Sequence, residues 1–70
     1  MHKLRRYVLE LYNAMAGGGL FRLDWLAIEA STGCHCRGCF AMECSRQGIA
    51  WTWHPSEQAY LLSRGRKRCH

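Results

Sequence analysis

At Gly48 the sequence changes its repeat, and that change constrains the fold more than any other feature. Before it, apolar residues return every three or four positions; after it they alternate. Leu4, Tyr7, Val8, Leu11 and Met15 form one face of an amphipathic helix, with Lys3, Arg5, Arg6, Glu10 and Asn13 between them and Gly17-Gly18-Gly19 as its stop. Leu20 and Phe21 give a short extended step. Leu23, Leu26, Ala27 and Ala30 form a second helical stripe, with Asp24 near its start and a break at Ser31-Thr32-Gly33. A third helix is predicted over residues 34–47, capped by Ser31 or Thr32, with Cys36, Phe40, Ala41 and Cys44 as its apolar residues. Beyond Gly48, Ile49, Trp51 and Trp53 alternate with Ala50 and Thr52 as a strand. Residues 54–58 are turn-like, and residues 59–63 make a second strand. The expected class is mainly α with a small β-hairpin.

Seventy residues give room for one domain with a thin core, which disfavours a large catalytic cleft. Apolar residues at 49% argue for a packed globule. No apolar run approaches the roughly 20 residues of a membrane span, and no signal peptide is legible, so a cytoplasmic, nucleoid-associated protein is expected. In that compartment the five cysteines stay reduced, as thiols or metal ligands, and their odd number suits a disulfide framework poorly. Ten Lys and Arg against five acids leave a net charge of +5, which favours polyanionic partners. Arg64, Arg66, Lys67 and Arg68 crowd at the end, so the division is a domain at residues 1–65 and a basic tail at residues 66–70.

Three helices followed by a hairpin is the order of a winged helix-turn-helix, and the residues resemble that superfamily. Leu23-Asp24-Trp25-Leu26-Ala27 is similar to its second helix, Ser31-Thr32-Gly33 to its turn, and Gly48-Ile49 to its entry into the wing. Tyr60-Leu61-Leu62-Ser63-Arg64-Gly65 resembles the family's closing strand, one residue short of the usual spacing. The resemblance implies that the third helix enters a major groove, which admits one α-helix, while basic groups hold the flanking phosphates.

At 100° per residue, Cys36, Phe40 and Cys44 share one face of that helix, and His35, Cys39, Met42 and Arg46 lie opposite. His35 and Arg46 are donors for bases or phosphates, Gly38 permits close approach, and Met42 suits a thymine methyl. Arg37 falls near the buried side, from which it can snorkel to a phosphate, and Glu43 opposes phosphates. In the wing, His54, Ser56 and Gln58 are further candidates, despite Glu57 at the tip. Arg64, Arg66, Lys67 and Arg68 add electrostatic affinity. Trp51 and Trp53 suit core packing better than base stacking. Trp25 lies off the main stripe of its helix and, if exposed, is a candidate partner contact.

Cys34, Cys36, Cys39 and Cys44 form CxCxxCxxxxC, which raises a zinc alternative with His35, Cys69 and His70 as substitute ligands. On one continuous helix the four diverge by angles no single metal reconciles, so a helix there and a four-cysteine site exclude each other. Cys36-Arg37-Gly38-Cys39 has redox spacing, but no thioredoxin-like strand pattern surrounds it. Cys36 and Cys44 as small apolar core residues complete the range of readings.

The expectation is therefore a DNA-binding regulator, of the small autonomous kind found in phage and other mobile elements, acting on duplex DNA as a possible homodimer and without a cofactor. A protein-interaction module that modulates a host or partner protein, and a small zinc-binding protein, are the alternatives. No glycine-rich phosphate loop, HExxH or paired-carboxylate pattern supports an enzyme.

Overall fold

The computed structural model describes residues 3–15 and 19–65. Its elements run α1 (Lys3–Ala14), β1 (Phe21–Asp24), α2 (Trp25–Thr32), α3 (Arg37–Arg46), β2 (Ile49–His54) and β3 (Ala59–Arg64). The strands form one antiparallel sheet in the order β1-β3-β2. The three helices and the hairpin form as expected, and a third strand joins the hairpin, which makes this a small α/β fold. The extended step near Phe21 is a true strand: Phe21 pairs with Leu62 and Asp24 with Ala59, which makes β3 central and leaves β2 as an edge. Central position explains why β3 carries the deepest residues of the sheet, Ala59, Tyr60 and Leu62.

α1 forms as its periodicity predicts, burying Val8 and Leu11. α2 does not follow its predicted stripe. Leu23 belongs to β1, and the buried residues are Trp25, Ile28 and Thr32, while Leu26 is 75% exposed and Ala27 and Ala30 face outward. The segment is apolar on every side, so local pattern leaves its rotation undetermined and packing against β1 and α1 sets it.

α3 begins at Arg37, three residues later than expected. Ser31 and Thr32 end α2 and do not cap α3; Cys36 is the N-cap residue, with extended backbone. Thr32 instead joins the two helices, since its hydroxyl donates to the Ile28 carbonyl at 2.8 Å and accepts the Cys34 N–H at 3.0 Å. Gly33, left-handed at φ 71°, ends α2, and the Thr32 bonds tie the following connection to it.

The core gathers Val8, Leu11, Ile28, Phe40, Cys44, Ile49, Tyr60 and Leu62 between the helices and the sheet. Tyr60 is its hub: Trp25, Phe40, Trp51 and Trp53 all place rings within 4.9–6.3 Å of it. Aromatic packing of this density supplies apolar burial that a chain of this length otherwise lacks. Where α3 turns into the hairpin, Gly48 takes a left-handed φ of 88°, and the Gly65 N–H donates to the Gly48 carbonyl at 2.6 Å. A Cβ on Gly65 would lie 2.8 Å from that carbonyl oxygen. Both glycines therefore have steric reasons to be glycine.

Candidate functional site

The outward face of α3 is organised by what its inward face buries. Phe40, Ala41 and Cys44 enter the core, and helical geometry then turns Gly38, Cys39, Met42 and Arg46 to the surface. Met42 is 62% exposed. Beside this face, α1 contributes Lys3, Leu4 and Arg5 to an open cleft of about 560 Å³, closed on the other side by Cys34, Cys39, Met42 and Arg46. Sequence pattern gives no reason to place Lys3 and Arg5 in the site. Nothing local marks them, because they lie more than thirty residues from α3 and only the packing of α1 brings them there.

Glu43, expected to repel phosphates, is turned inward. It is among the buried residues, accepts a hydrogen bond from Gln47 Nε2 at 2.7 Å and pairs with Arg46 at 3.5 Å. The same Gln47 amide donates to the Arg5 carbonyl at 3.1 Å, which fastens α3 to α1. Glu43 thus lines the floor of the cleft as its one acid, held by Gln47 and Arg46, while Arg46 remains largely exposed.

Other predicted positions are distributed differently. His35 lies in the connection before α3, strongly exposed, with Nδ1 3.0 Å from a Glu29 carboxylate oxygen. Arg37 is on the surface, not toward the core, and its guanidinium stacks 4.2 Å from the Trp53 ring centroid. The Arg37 carbonyl accepts the Tyr60 hydroxyl at 3.3 Å, so the first turn of α3 is fixed to the hairpin.

In the wing-like hairpin, Ser56 is exposed, whereas the Gln58 amide is occupied with the Pro55 carbonyl at 2.8 Å. His54 is half-buried, and its Nε2 has no hydrogen-bond partner. Glu57 at the tip is held by Arg22 at 3.0 Å, and Arg22 also pairs with Asp24 at 2.8 Å, so its charge is compensated locally. Arg64 is part of β3 and stacks over the Tyr12 ring at 4.0 Å. Arg66, Lys67 and Arg68, with Cys69, His70 and the tail boundary at residue 66, lie outside the described residues.

Trp25 is 8% exposed and meets Phe40 edge to face at 6.2 Å, so it is a core residue and not a surface contact. Trp53 is half-buried and Trp51 is 40% exposed, with its indole N–H donating to the Ser45 hydroxyl at 3.1 Å. The core expectation holds for the first and only partly for the second.

The cysteines separate into two groups. Cys44 is fully buried beside Phe40, and burial pushes its thiol pKa up to about 12. Cys36, expected in the core, is exposed, as is Cys39, and Cys34 is half-buried. The fold therefore does not bring Cys44 to the other three. Among the described residues, no group of three or more His, Cys, Asp or Glu side chains is positioned to hold a metal ion.

Within the first turn of α3, the Cys39 backbone N–H, the Cys39 thiol and the Gly38 N–H favour the Cys36 thiolate and lower its pKa. The Cys39 thiol donates to Cys36 and keeps its own proton more tightly, with the neighbouring Cys36 charge as a further cause.

The fold and these surfaces define a small α/β domain of three helices and a three-stranded antiparallel sheet, with no helix among the described residues long and apolar enough to cross a membrane. In comparisons with protein-family models, curated proteins and solved structures, nothing matches the chain.

Proposed function

We propose that this chain is a small DNA-binding regulator of winged-helix type, a binding protein and not an enzyme, whose third helix enters the major groove. The observation that carries this reading is the cleft where α3 presents Met42 and Arg46 beside Lys3 and Arg5 of α1, while the one acid in its lining, Glu43, is largely buried and engaged by Gln47 and Arg46. Lys3, Arg5 and the exposed Arg46 around this cleft suit duplex phosphates, and an exposed glycine and methionine on α3 leave room for base edges. His35 and Arg37 flank the first turn of α3, and Ser56 extends the surface to the hairpin tip. Binding as a dimer on a paired site would raise the affinity of a module this small.

The test is fluorescence anisotropy with labelled duplex DNA across a salt series. Arg46→Ala with His35→Ala is expected to weaken binding by about tenfold or more, the scale of one good base or phosphate interaction. Lys3→Ala with Arg5→Ala is expected to flatten the salt dependence by roughly 0.9 in log–log slope for each phosphate no longer neutralised. Unchanged affinity in the first variant overturns this recognition face.

A protein-binding role rests on a different surface, with Leu26 of α2, 75% exposed, replacing Trp25 as the apolar anchor. Recovery of a partner from nuclease-treated lysate, abolished by Leu26→Glu and accompanied by no duplex binding at low salt, would establish that role instead.

A further inference from the structure

We propose that Cys36 and Cys39 form a thiol–disulfide exchange site, in which Cys36 is the nucleophile toward small-molecule disulfides and Cys39 the resolving thiol. This goes beyond the nucleic-acid reading and does not depend on it. It rests on the placement of the two residues. Cys36 is the N-cap of α3 and Cys39 lies one turn in, where the Cys39 N–H donates to the Cys36 carbonyl at 3.1 Å and closes the first turn. Helical geometry sets such a pair about 5 Å apart between Cα atoms, inside the roughly 4.4–6.8 Å span that a disulfide bridges. The two sulfurs also sense each other, since charge on Cys36 makes the Cys39 thiol hold its proton more tightly.

Access and charge point the same way. Both side chains are exposed, so a dissolved disulfide reaches them without unfolding. No side-chain hydrogen bond caps the helix, and the positive end of its first turn, the Gly38 N–H included, favours negative charge on the Cys36 sulfur. Arg37 adds a cation beside it, held in place by its stack on Trp53. Cys34 also raises the Cys39 thiol pKa, after Cys36 in size, but is arranged otherwise. Its thiol points to the Cys36 carbonyl at 3.4 Å, and it stands only two residues away on extended chain. A Cβ at Gly38 would touch the Cys36 sulfur at 3.6 Å, so glycine leaves that side of the sulfur uncovered.

The exchange balances in two steps. The Cys36 thiolate attacks one sulfur of a disulfide RSSR, forming a Cys36–SR mixed disulfide and releasing RS⁻. Cys39 then loses its proton to that thiolate or to water and attacks the Cys36 sulfur, closing the Cys36–Cys39 bond and releasing the second RS⁻. Two protein thiols are oxidised by two electrons, and RSSR is reduced to two RSH.

The reduced full chain is treated with glutathione disulfide, quenched in acid and mapped by mass spectrometry, with circular dichroism verifying that each variant folds. The wild-type chain is expected to lose two hydrogens at Cys36 and Cys39. Cys39→Ser is expected to accumulate a glutathione adduct on Cys36, Cys36→Ser to react at least tenfold more slowly at residue 39, and Cys34→Ser to match the wild type. A stable glutathione adduct on the wild-type chain, a bridge that uses Cys34, or modification of Cys34 or Cys69 faster than Cys36 would each overturn the assignment.

Discussion

The two ends of α3 carry the same residue type to opposite chemical states. At the last full turn Cys44 is sealed against Phe40, and loss of hydration raises its pKa to about 12. At the N-cap, Cys36 is open to solvent and lowered by the N–H groups and thiol that follow it. Eight residues separate them. The contrast shows that cysteine identity predicts little here: the side of the helix and the end of the helix decide whether the sulfur is an inert apolar filler or a reactive group.

The largest expected effect strikes the buried end. Phe40→Ala should destabilise the fold by about 3–5 kcal/mol, as removal of a fully buried aromatic does, and chemical denaturation of the variant would measure it. A drop under about 1 kcal/mol, the scale of an ordinary surface change, would mean that the core does not close around α3 as described. Gly65→Ala tests the seam just beyond, where the new Cβ would press on the Gly48 carbonyl, a backbone atom that cannot swing away. A destabilisation of about 1–3 kcal/mol is expected from that overpacking, and wild-type stability would refute the close approach.

A smaller effect depends on pH. Because Cys44 is raised in the folded chain, its contribution is fully present below the thiol's ordinary 9.0 and is lost as pH rises toward about 12. Tyr7 and Tyr60, raised by burial, act in the same alkaline direction. Stability should fall above pH 9 by at most about 1.4 kcal/mol per pH unit from Cys44, and Cys44→Ala should make that decline shallower. An identical slope in the variant would show that Cys44 ionises as a free thiol. The smallest effect belongs to the exposed end: Cys36→Ser should keep or slightly raise the denaturation midpoint, because serine is a favoured N-cap residue, while iodoacetamide labelling of the wild type should reach half its plateau rate at a lower pH for Cys36 than for Cys39. The reverse order of labelling would undo the comparison.

Much of this is legible locally. The change of repeat at Gly48, the two hairpin strands and the split of α3 into a Phe40–Cys44 face and a Cys39–Met42–Arg46 face all follow from periods of two and 3.6, which a strand edge or a one-sided helix imposes on its own residues. The start of α3 is less legible. Residues 34–36 themselves hold no strong helix breaker; the left-handed Gly33 before them, with Thr32 reaching back to Ile28 and forward to Cys34, takes them off the helical path. Placing Cys36 at the N-cap is what gives it redox geometry without a thioredoxin-like setting, so the objection drawn from the surrounding strand pattern loses its force.

The sequence by itself determined that three helical segments precede an extended hairpin, though not where α2 and α3 begin, because backbone periodicity is a local property. Tertiary structure alone decided that Trp25 faces the core and Leu26 does not, that β1 joins the sheet, that Lys3 and Arg5 stand beside Arg46, and that Glu43 turns inward. Each of these depends on a partner distant in the chain. An all-round apolar helix or a lone charge carries no information about its neighbour until packing chooses one.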